Sequence, residues 1–562
     1  MTGYRTNTEN RYADIIFWVS ALVLLFGALG GTSLHGSEER WAEVTREMFR
    51  SGDFFHPTIN GEPYFDKPLL SYWLIALVSL AAGSITEWSV RLPSAVAGIL
   101  ALWATRYLGR ALWSKDVERV AGWLLLLSYG FLWWGRRGEA DMENMAAVIL
   151  AVAWYWKCRE DTGFGGYLIF YLICFVGAQA KGLAPIVIPA VALLPDLMRG
   201  GRWKSHLNVS HLIALLIGIC VYTVPFLYAS FTRPGYESSG LGLVFQENIQ
   251  RFFKPIDHKE PFYVYFYYLP QLFLPWSFFL VFAVPFLLRS LRRPYDNSRW
   301  LSEAVLLIFI LFTLSGSRRF YYILPIIPFS ALLTALYIDR GAWRWSYYLE
   351  TALFAVAGAL LLISPFLWPF AEQKTGFSPP ADIIRLTPVM GLFALAPLAV
   401  YRLRPGLSDK VLGAGKKISP LIISALIIAA GGLCWQLGRF DEYRTTKPFS
   451  VEVRDLTAGM PPDNIAVYGK FPPDIIFYAE LPVPVRILRD AGDVRNFVGS
   501  AETPKVLLAM RKDVDDFLSS LPENMRQKPV LSEKVHPWEK RADKKVMVWR
   551  IGPEDLKEAG GT

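Results

Sequence analysis

A chain of 562 residues that is 53% hydrophobic and 15% aromatic, with 19% charged residues and a mean hydropathy of +0.29, is not an ordinary soluble globule. The formal net charge is +9, but the basic residues cluster in short loops between apolar runs. That is the charge pattern of membrane topology, and it excludes nucleic acid as the partner. Cys158, Cys174, Cys220 and Cys434 fall in or beside apolar runs with no CxxC pair, so they read as small buried hydrophobes and not as a disulfide framework.

In chain order, the first apolar run begins near Ala13 and is followed by no small-residue cleavage site, which makes it an uncleaved anchor. Runs of about 17–25 residues then recur along most of the chain, the length a transmembrane helix needs. Five basic loops, Arg106 to Arg119, Arg199 to Lys204, Arg289 to Arg299, Arg340 to Arg344 and Arg402 to Lys417, go to the cytoplasm by the positive-inside rule. Working outward from them gives helices near 13–33, 91–108, 119–135, 143–158, 166–181, 183–198, 209–230, 263–288, 300–316, 320–338, 346–370, 386–402 and 418–437. The expectation is a polytopic α-helical membrane protein of about 13 transmembrane helices, N-terminus inside and everything after Phe440 outside. "PLLSYWLIALVSLAAG" (68–83) is short for a span and is assigned to the outer interface; a span there would turn every later basic loop outward.

From about 440 the composition changes. "NIAVYGK", "DIIFYAE", "VPVRIL", "KVLLAMR" and "KVMVWRI" are short β-branched or aromatic strand candidates, with helical stretches "DAGDVRNFVG" and "DVDDFLSSLPENM" between them. The domain division is therefore 1–439 as the membrane domain, with an outer interfacial loop at 34–90, and 440–562 as a soluble α/β domain.

The charged residues on the outer side carry the functional argument. Between Glu38 and Lys67 stand seven carboxylates and four Lys or Arg, more than a connector needs. In "SEERWAEVTREMFR", Trp41, Val44 and Met48 form an apolar stripe suited to the membrane surface. Glu43/Arg46 and Glu47/Arg50 then read as i,i+3 pairs on the wet face. The next outer loop, "GRRGEADMEN", carries Glu139, Asp141 and Glu143 beside Arg136 and Arg137. Charges so close to helix ends are costly unless they pair, snorkel or line a wet cavity. Paired and structural is one reading; general-base or metal-assisted chemistry at the membrane boundary is the other. Arg136, Arg137, Lys181, Arg251, Lys254, Lys259, Arg318 and Arg319 break the positive-inside pattern and suit an anionic lipid headgroup.

The stretch "SEERWAEVTREMFRSGDFFHPTINGEPYFDKP", followed in order by "AKGL" (180–183), "FQENIQRFF" (245–253), "EPFYVYFYYLPQLFLPW" (260–276) and "SGSRRFYYILPIIP" (315–328), resembles the GT-C-type polyprenyl-phosphate-sugar glycosyltransferases. This is the family of the 4-amino-4-deoxy-L-arabinose lipid A transferases, relatives of the protein O-mannosyltransferases. The resemblance implies a bacterial inner-membrane, multi-pass enzyme with a cytoplasmic N-terminus and a periplasmic C-terminal domain. Such an enzyme takes a sugar from a polyprenyl-phosphate donor to an envelope acceptor, whether lipid A, another glycolipid or a protein, with inversion at the anomeric carbon. It also implies membrane lipids as surroundings and no nucleotide sugar. By motif position Glu38 and Asp141 are the candidate catalytic carboxylates. Arg40, Asp66, Lys67, Arg136, Arg137, Lys181, Glu247, Asn248, Arg251, Arg318, Arg319 and Tyr322 are the candidate substrate-binding residues.

Three departures qualify the match. Ser37 stands where the family pattern opens with Asp, Asn248 stands at a family His, and Asp66 replaces a Glu. They point to a relative with another sugar or acceptor. No cofactor is required by the pattern; a divalent metal ion at Asp66 and Glu247 stays an open alternative, since the six histidines show no ligand spacing. Two other classes share the topology. A polytopic transporter is expected to carry charge within spans near the midplane, and 209–230 and 320–338 carry none. An envelope polysaccharide polymerase or ligase is not expected to share the "YFDKP" and "ENIQRF" spacing.

Overall fold

The computed structural model describes residues 7–65, 67–160, 163–236, 242, 250, 260–443, 445–499, 503–521, 525–536, 539 and 542–552. The chain divides into two compact units, one of residues 1–31, 65–365 and 382–438, the other of residues 32–64, 366–381 and 439–562.

The first unit is helical. Among the described residues, six helices are long and apolar enough to cross a membrane: Phe164–Lys181, Val209–Thr232, Asn297–Leu314, Arg344–Leu362, Ala381–Leu403 and Ser419–Arg439. Asn7–Phe26, Glu87–Leu112, Asp141–Cys158 and Ala184–Arg199 are packed among them, and Leu70–Ala82, Ser277–Ser290 and Leu324–Asp339 are shorter apolar segments. The starts obey local chemistry. Thr86 and Ser89 form a reciprocal capping box, and Ser114, Asn208 and Asp296 each accept a backbone N–H three residues on.

Three runs that read as single helices in the sequence are each two. The 119–135 run is Lys115–Leu126 and Tyr129–Trp134; 346–370 is Arg344–Leu362 and Ser364–Thr375; 263–288 is Val264–Leu272 and Ser277–Ser290. In the second case Pro365 cannot donate to the preceding turn and sits in the first turn of the new helix instead. In the third, the break leaves N–H groups at a helix start that an apolar interior cannot hydrate. Glu350, fully buried in Arg344–Leu362, takes the Phe279 N–H at 2.9 Å. A carboxylate that the sequence leaves unexplained inside an apolar run is thus the cap of a neighbouring helix.

The Arg106–Arg119 loop is also more than a topological signal. Arg106 is buried, with Nη2 at 2.7 Å from Asp14 Oδ1 and 2.8 Å from Glu118 Oε1, and its guanidinium lies over the Phe17 ring. Desolvated charges need this compensation.

The second unit is an α/β assembly. Strands β1 (Thr58–Ile59) and β2 (Glu62–Pro63) form a hairpin, and a five-stranded sheet is built from β3 (Ile465–Tyr468), β4 (Arg486–Leu488), β5 (Lys505–Met510), β6 (Leu531–Ser532) and β7 (Val546–Ile551). The order is β4-β3-β5-β7-β6, with β4, β3 and β5 parallel and β7 antiparallel to both its neighbours, β5 and β6. Alternation with period two puts Ile465, Val467, Val506, Leu508, Val546 and Val548 against helices Lys447–Thr457 and Pro473–Tyr478. The intervening residues, Ala466, Tyr468, Leu507, Ala509 and Trp549, face helices Ala491–Gly499 and Val514–Ser520. Both sheet faces are therefore covered.

"DIIFYAE", expected as a strand, is a helix. Pro473 occupies its first position and Asp474 its first turn, and both favour a helix start. A short wholly apolar run carries no period by which to tell helix from strand.

Helix Glu38–Ser51 also differs from its reading as an interfacial helix with a wet acidic face. Trp41, Val44 and Met48 are buried protein core, and Glu43 and Glu47 are buried as well. The Glu43–Arg46 pair forms, at 2.7 Å, whereas Glu47 makes no pair with Arg50 among the contacts described. Glu47 instead accepts from Thr58 Oγ1 at 2.6 Å, Asn60 N at 2.6 Å and Gly61 N at 3.0 Å. Asn60 and Gly61 have φ of 55° and 75°, the left-handed pair of a tight hairpin turn, which Asn and Gly adopt most readily. Arg50 donates to the Leu481 carbonyl. Asn60 exchanges two hydrogen bonds with the Val485 backbone, at 2.9 and 2.7 Å, and the Leu34 N–H meets the Tyr478 hydroxyl at 2.6 Å. Residues 32–64 are thus hydrogen-bonded into the same unit as the C-terminal sheet.

Candidate active site

In the helical unit, the loop after Trp134 and the start of helix Asp141–Cys158 bring charge to one place. Asp141 is 4% exposed and is the first residue of its helix, where the unpaired N–H groups favour a negative charge. Lys181 is the last residue of Phe164–Lys181, where the helix carbonyls favour a cation, and its Nζ lies 2.5 Å from Asp141 Oδ2. Gly182 ends that helix at φ 141°, a conformation that L side chains rarely adopt, and Ser71 Oγ donates to the adjoining Ala180 carbonyl. Glu143, two residues on from Asp141, accepts from Ser94 Oγ at 3.1 and 3.2 Å.

Aromatic rings bound the pair. Lys181 Nζ lies 4.9 Å from the Tyr321 ring centroid, Arg319 Nη1 donates to the Tyr321 hydroxyl at 2.7 Å, and Trp134 packs against both Tyr321 and Phe320. Tyr321 therefore touches two cations through its ring and hydroxyl. Tyr322 packs edge-on against it.

The other arginines chosen from sequence have distinct surroundings. Arg136 is buried and donates to the carbonyls of Leu24 and Ala28, at 2.6 and 3.3 Å, closing the end of the first helix. Burial pushes its pKa below the usual arginine value. Arg137 pairs with Glu139 at 3.0 Å and lies over Trp133. Arg318 donates to the backbone of Glu260 and Thr313. Lys67 is partly buried in the same unit. Asp66, Glu247, Asn248 and Arg251 lie outside the described residues, and with them the carboxylates considered for a metal. Among the described residues no group of three or more His, Cys, Asp or Glu is placed to hold a metal ion.

Glu38 and Arg40 belong to the α/β unit. Glu38 is 1% exposed and accepts the His35 N–H at 3.0 Å; Arg40 is exposed and donates to the Tyr64 hydroxyl at 3.1 Å. Sequence reasoning passed over Tyr321 and Ser94. Tyr321 sits beside the chosen Tyr322 in "SRRFYY", where nothing local separates the two rings. Ser94 lies in an apolar run and gives no signal at all.

Residues 66–228 match the model of the dolichyl-phosphate-mannose-protein mannosyltransferase family. The undecaprenyl phosphate-alpha-4-amino-4-deoxy-L-arabinose arabinosyl transferase of Edwardsiella ictaluri is 30% identical over 313 residues, 54% of this chain and 55% of its own length. The enzyme of the same description from Pseudomonas paraeruginosa is 28% identical over 405 residues, 68% of this chain and 71% of its own. Over these spans the chain is similar to the aminoarabinose transferases and to the mannosyltransferase family. The crystal structure of ArnT from Cupriavidus metallidurans bound to undecaprenyl phosphate superposes with a TM-score of 0.72 at 19% identity, covering 95% of this chain and 97% of that one. At that identity the likeness speaks for the fold alone: this aminoarabinose-transferase-like chain has the polytopic membrane fold of the GT-C type.

Proposed function

We propose that the chain is an inverting glycosyltransferase that moves a sugar from a polyprenyl-phosphate donor to an envelope acceptor, lipid A or another glycolipid or protein, at the outer face of the bacterial inner membrane. The observation that carries this reading is the pair of buried Asp141 and part-buried Lys181 at two helix ends, ringed by Tyr321, Trp134 and Arg319. Relatives described as undecaprenyl phosphate-alpha-4-amino-4-deoxy-L-arabinose arabinosyl transferases support the donor class. The match spans only 55% of the Edwardsiella enzyme's length.

In this reading the acceptor oxygen attacks the anomeric carbon as the bond from that carbon to the donor phosphate oxygen breaks. The polyprenyl phosphate leaves with the bonding pair, and the acceptor proton passes to a carboxylate, Asp141 or Glu38. Lys67, Arg251 and Arg319 supply cations for the departing phosphate, whose charge rises in the transition state. The reading includes thirteen spans, a cytoplasmic N-terminus, an outer interfacial loop at 34–90, and a division into a membrane domain, 1–439, and a periplasmic α/β domain, 440–562.

The test is mass spectrometry of lipid A and the other envelope glycans from cells lacking the protein and from cells re-expressing it. A restored increment of one sugar names both sugar and acceptor. Identical glycolipids and glycoproteins in the two strains would overturn the transferase reading.

A further inference from the structure

Helix Asp141–Cys158 runs about 27 Å away from Asp141, at 1.5 Å per residue for its 18 residues, and ends at a second feature. Cys158, Gly166 at the start of Phe164–Lys181, and His211 at the start of Val209–Thr232 all line a cavity of about 320 Å³. That volume is at the lower end of the range for small-molecule sites, about 300–1,000 Å³. Its walls are apolar and aromatic, with Trp154, Phe170, Leu193 and Leu215 among them. Two of the helices that line it are long and apolar enough to span.

One end of the cavity is polar and incomplete. Asn208 Nδ2 donates to the Tyr167 hydroxyl at 3.1 Å, and that hydroxyl lies 2.9 Å from His206 Nδ1, to which it can give its own proton. With Nδ1 accepting, the neutral ring carries its proton on Nε2. That atom is buried, in a residue 9% exposed, and has no hydrogen-bond partner among the described residues. A buried N–H without an acceptor is costly, and an oxygen acceptor from a ligand would satisfy it. The charge nearby is net positive, although Arg159 and Arg202 pair with Glu160 and Asp196, and Arg199 with Glu303. Residues 157–160 and 196–206 hold Lys157, Arg159, Arg199, Arg202 and Lys204 against Glu160 and Asp196, five cations to two acids. Arg159 lines the cavity itself.

We propose that this cavity binds a glycerophospholipid with an anionic headgroup, an acyl chain against the aromatic wall and a phosphate or ester oxygen on His206 Nε2. One molecule supplies the apolar volume, an acceptor oxygen and a charge that the net-positive surroundings favour, as lipids do in basic pockets between membrane helices. The proposal rests on the membrane fold and not on the transferase reading.

The test is native mass spectrometry of the detergent-purified full chain, titrated with phosphatidylglycerol, with phosphatidylcholine and with polyprenyl phosphate. Expected are one tightly held phosphatidylglycerol and weaker retention of the other two. His206→Leu should weaken phosphatidylglycerol about tenfold, the size of one lost buried hydrogen bond. Ala190→Trp, which fills the cavity from its wall, should abolish the tight site. Phosphatidylcholine or polyprenyl phosphate held as tightly as phosphatidylglycerol by the wild type would overturn the proposal, and that comparison stands whether or not either variant folds. So would unchanged phosphatidylglycerol binding in both variants.

Discussion

Lys181 Nζ stands 2.5 Å from Asp141 Oδ2, and each residue occupies the helix end whose partial charge opposes its own. The pair is therefore favoured twice, by its partner and by its helix. Removing one member of a buried pair strands the other, whereas an isosteric change of the carboxylate tests chemistry with less disturbance. Asp141→Asn and Glu38→Gln should each lower turnover about 10²-fold or more while the protein stays membrane-inserted and monodisperse, the size expected for loss of a general base. In vitro sugar transfer, read beside size-exclusion profiles, measures both. Normal turnover in both variants would move the proton acceptor elsewhere.

Lys67→Ala should act on donor binding. If its ammonium holds the donor phosphate, KM for the polyprenyl-phosphate sugar rises by about 10- to 100-fold, the range of a single charge-assisted contact, roughly 1.5–3 kcal/mol. A donor titration that returned wild-type KM would remove Lys67 from the phosphate site.

Glu47 is the internal support of the β1–β2 hairpin. Glu47→Ala leaves the Thr58 hydroxyl and the Asn60 and Gly61 N–H groups without their acceptor. A loss of about 2 kcal/mol is expected, since water can re-enter a part-buried turn and offset some of the ~1–3 kcal/mol per stranded donor. Gly61→Ala, at φ 75°, should cost about 1 kcal/mol or more, through backbone strain and the 3.3 Å approach of the new methyl to Pro484 Cβ. Thermal unfolding of the full chain, with limited proteolysis at residues 56–64, reports both. Unchanged cleavage in Glu47→Ala would show that other contacts hold the hairpin.

Asp53 gives the α/β unit an acid-sensitive turn. Burial alone would raise its pKa, but the N–H groups of Phe55 and His56 and the His56 ring, 2.7 Å away, more than offset this and hold it below the usual carboxylate value. A depressed folded pKa contributes stability above the unfolded value of about 3.9, and that contribution is lost as pH falls through the folded value. Asp53→Asn should therefore lower Tm at pH 6, with the difference from wild type shrinking below about pH 4. A constant difference down to pH 3 would contradict the assignment.

The local patterns of this chain predicted much of it. Long apolar runs located the helical unit, because length and hydropathy are properties of a segment. The β-branched and aromatic runs "NIAVYGK", "KVLLAMR" and "KVMVWRI" located three strands, because side-chain shape favours the extended backbone without knowledge of the partner strand. The motif run from Ser37 to Pro328 carried the family resemblance for the same reason. Only the tertiary structure decided which charges are solvated and which are enclosed. Glu43 and Glu47 looked like a wet face, yet they lie inside a unit completed by residues some four hundred positions later. Glu350 became a helix cap only because Phe279 reaches it. The partnership of Asp141 with Lys181, and the choice of Tyr321 over Tyr322 beside them, depend on helices meeting in space. A side chain's chemistry is written in its identity, but the cost of burying its charge, and so its role, is set by atoms that the local sequence does not name.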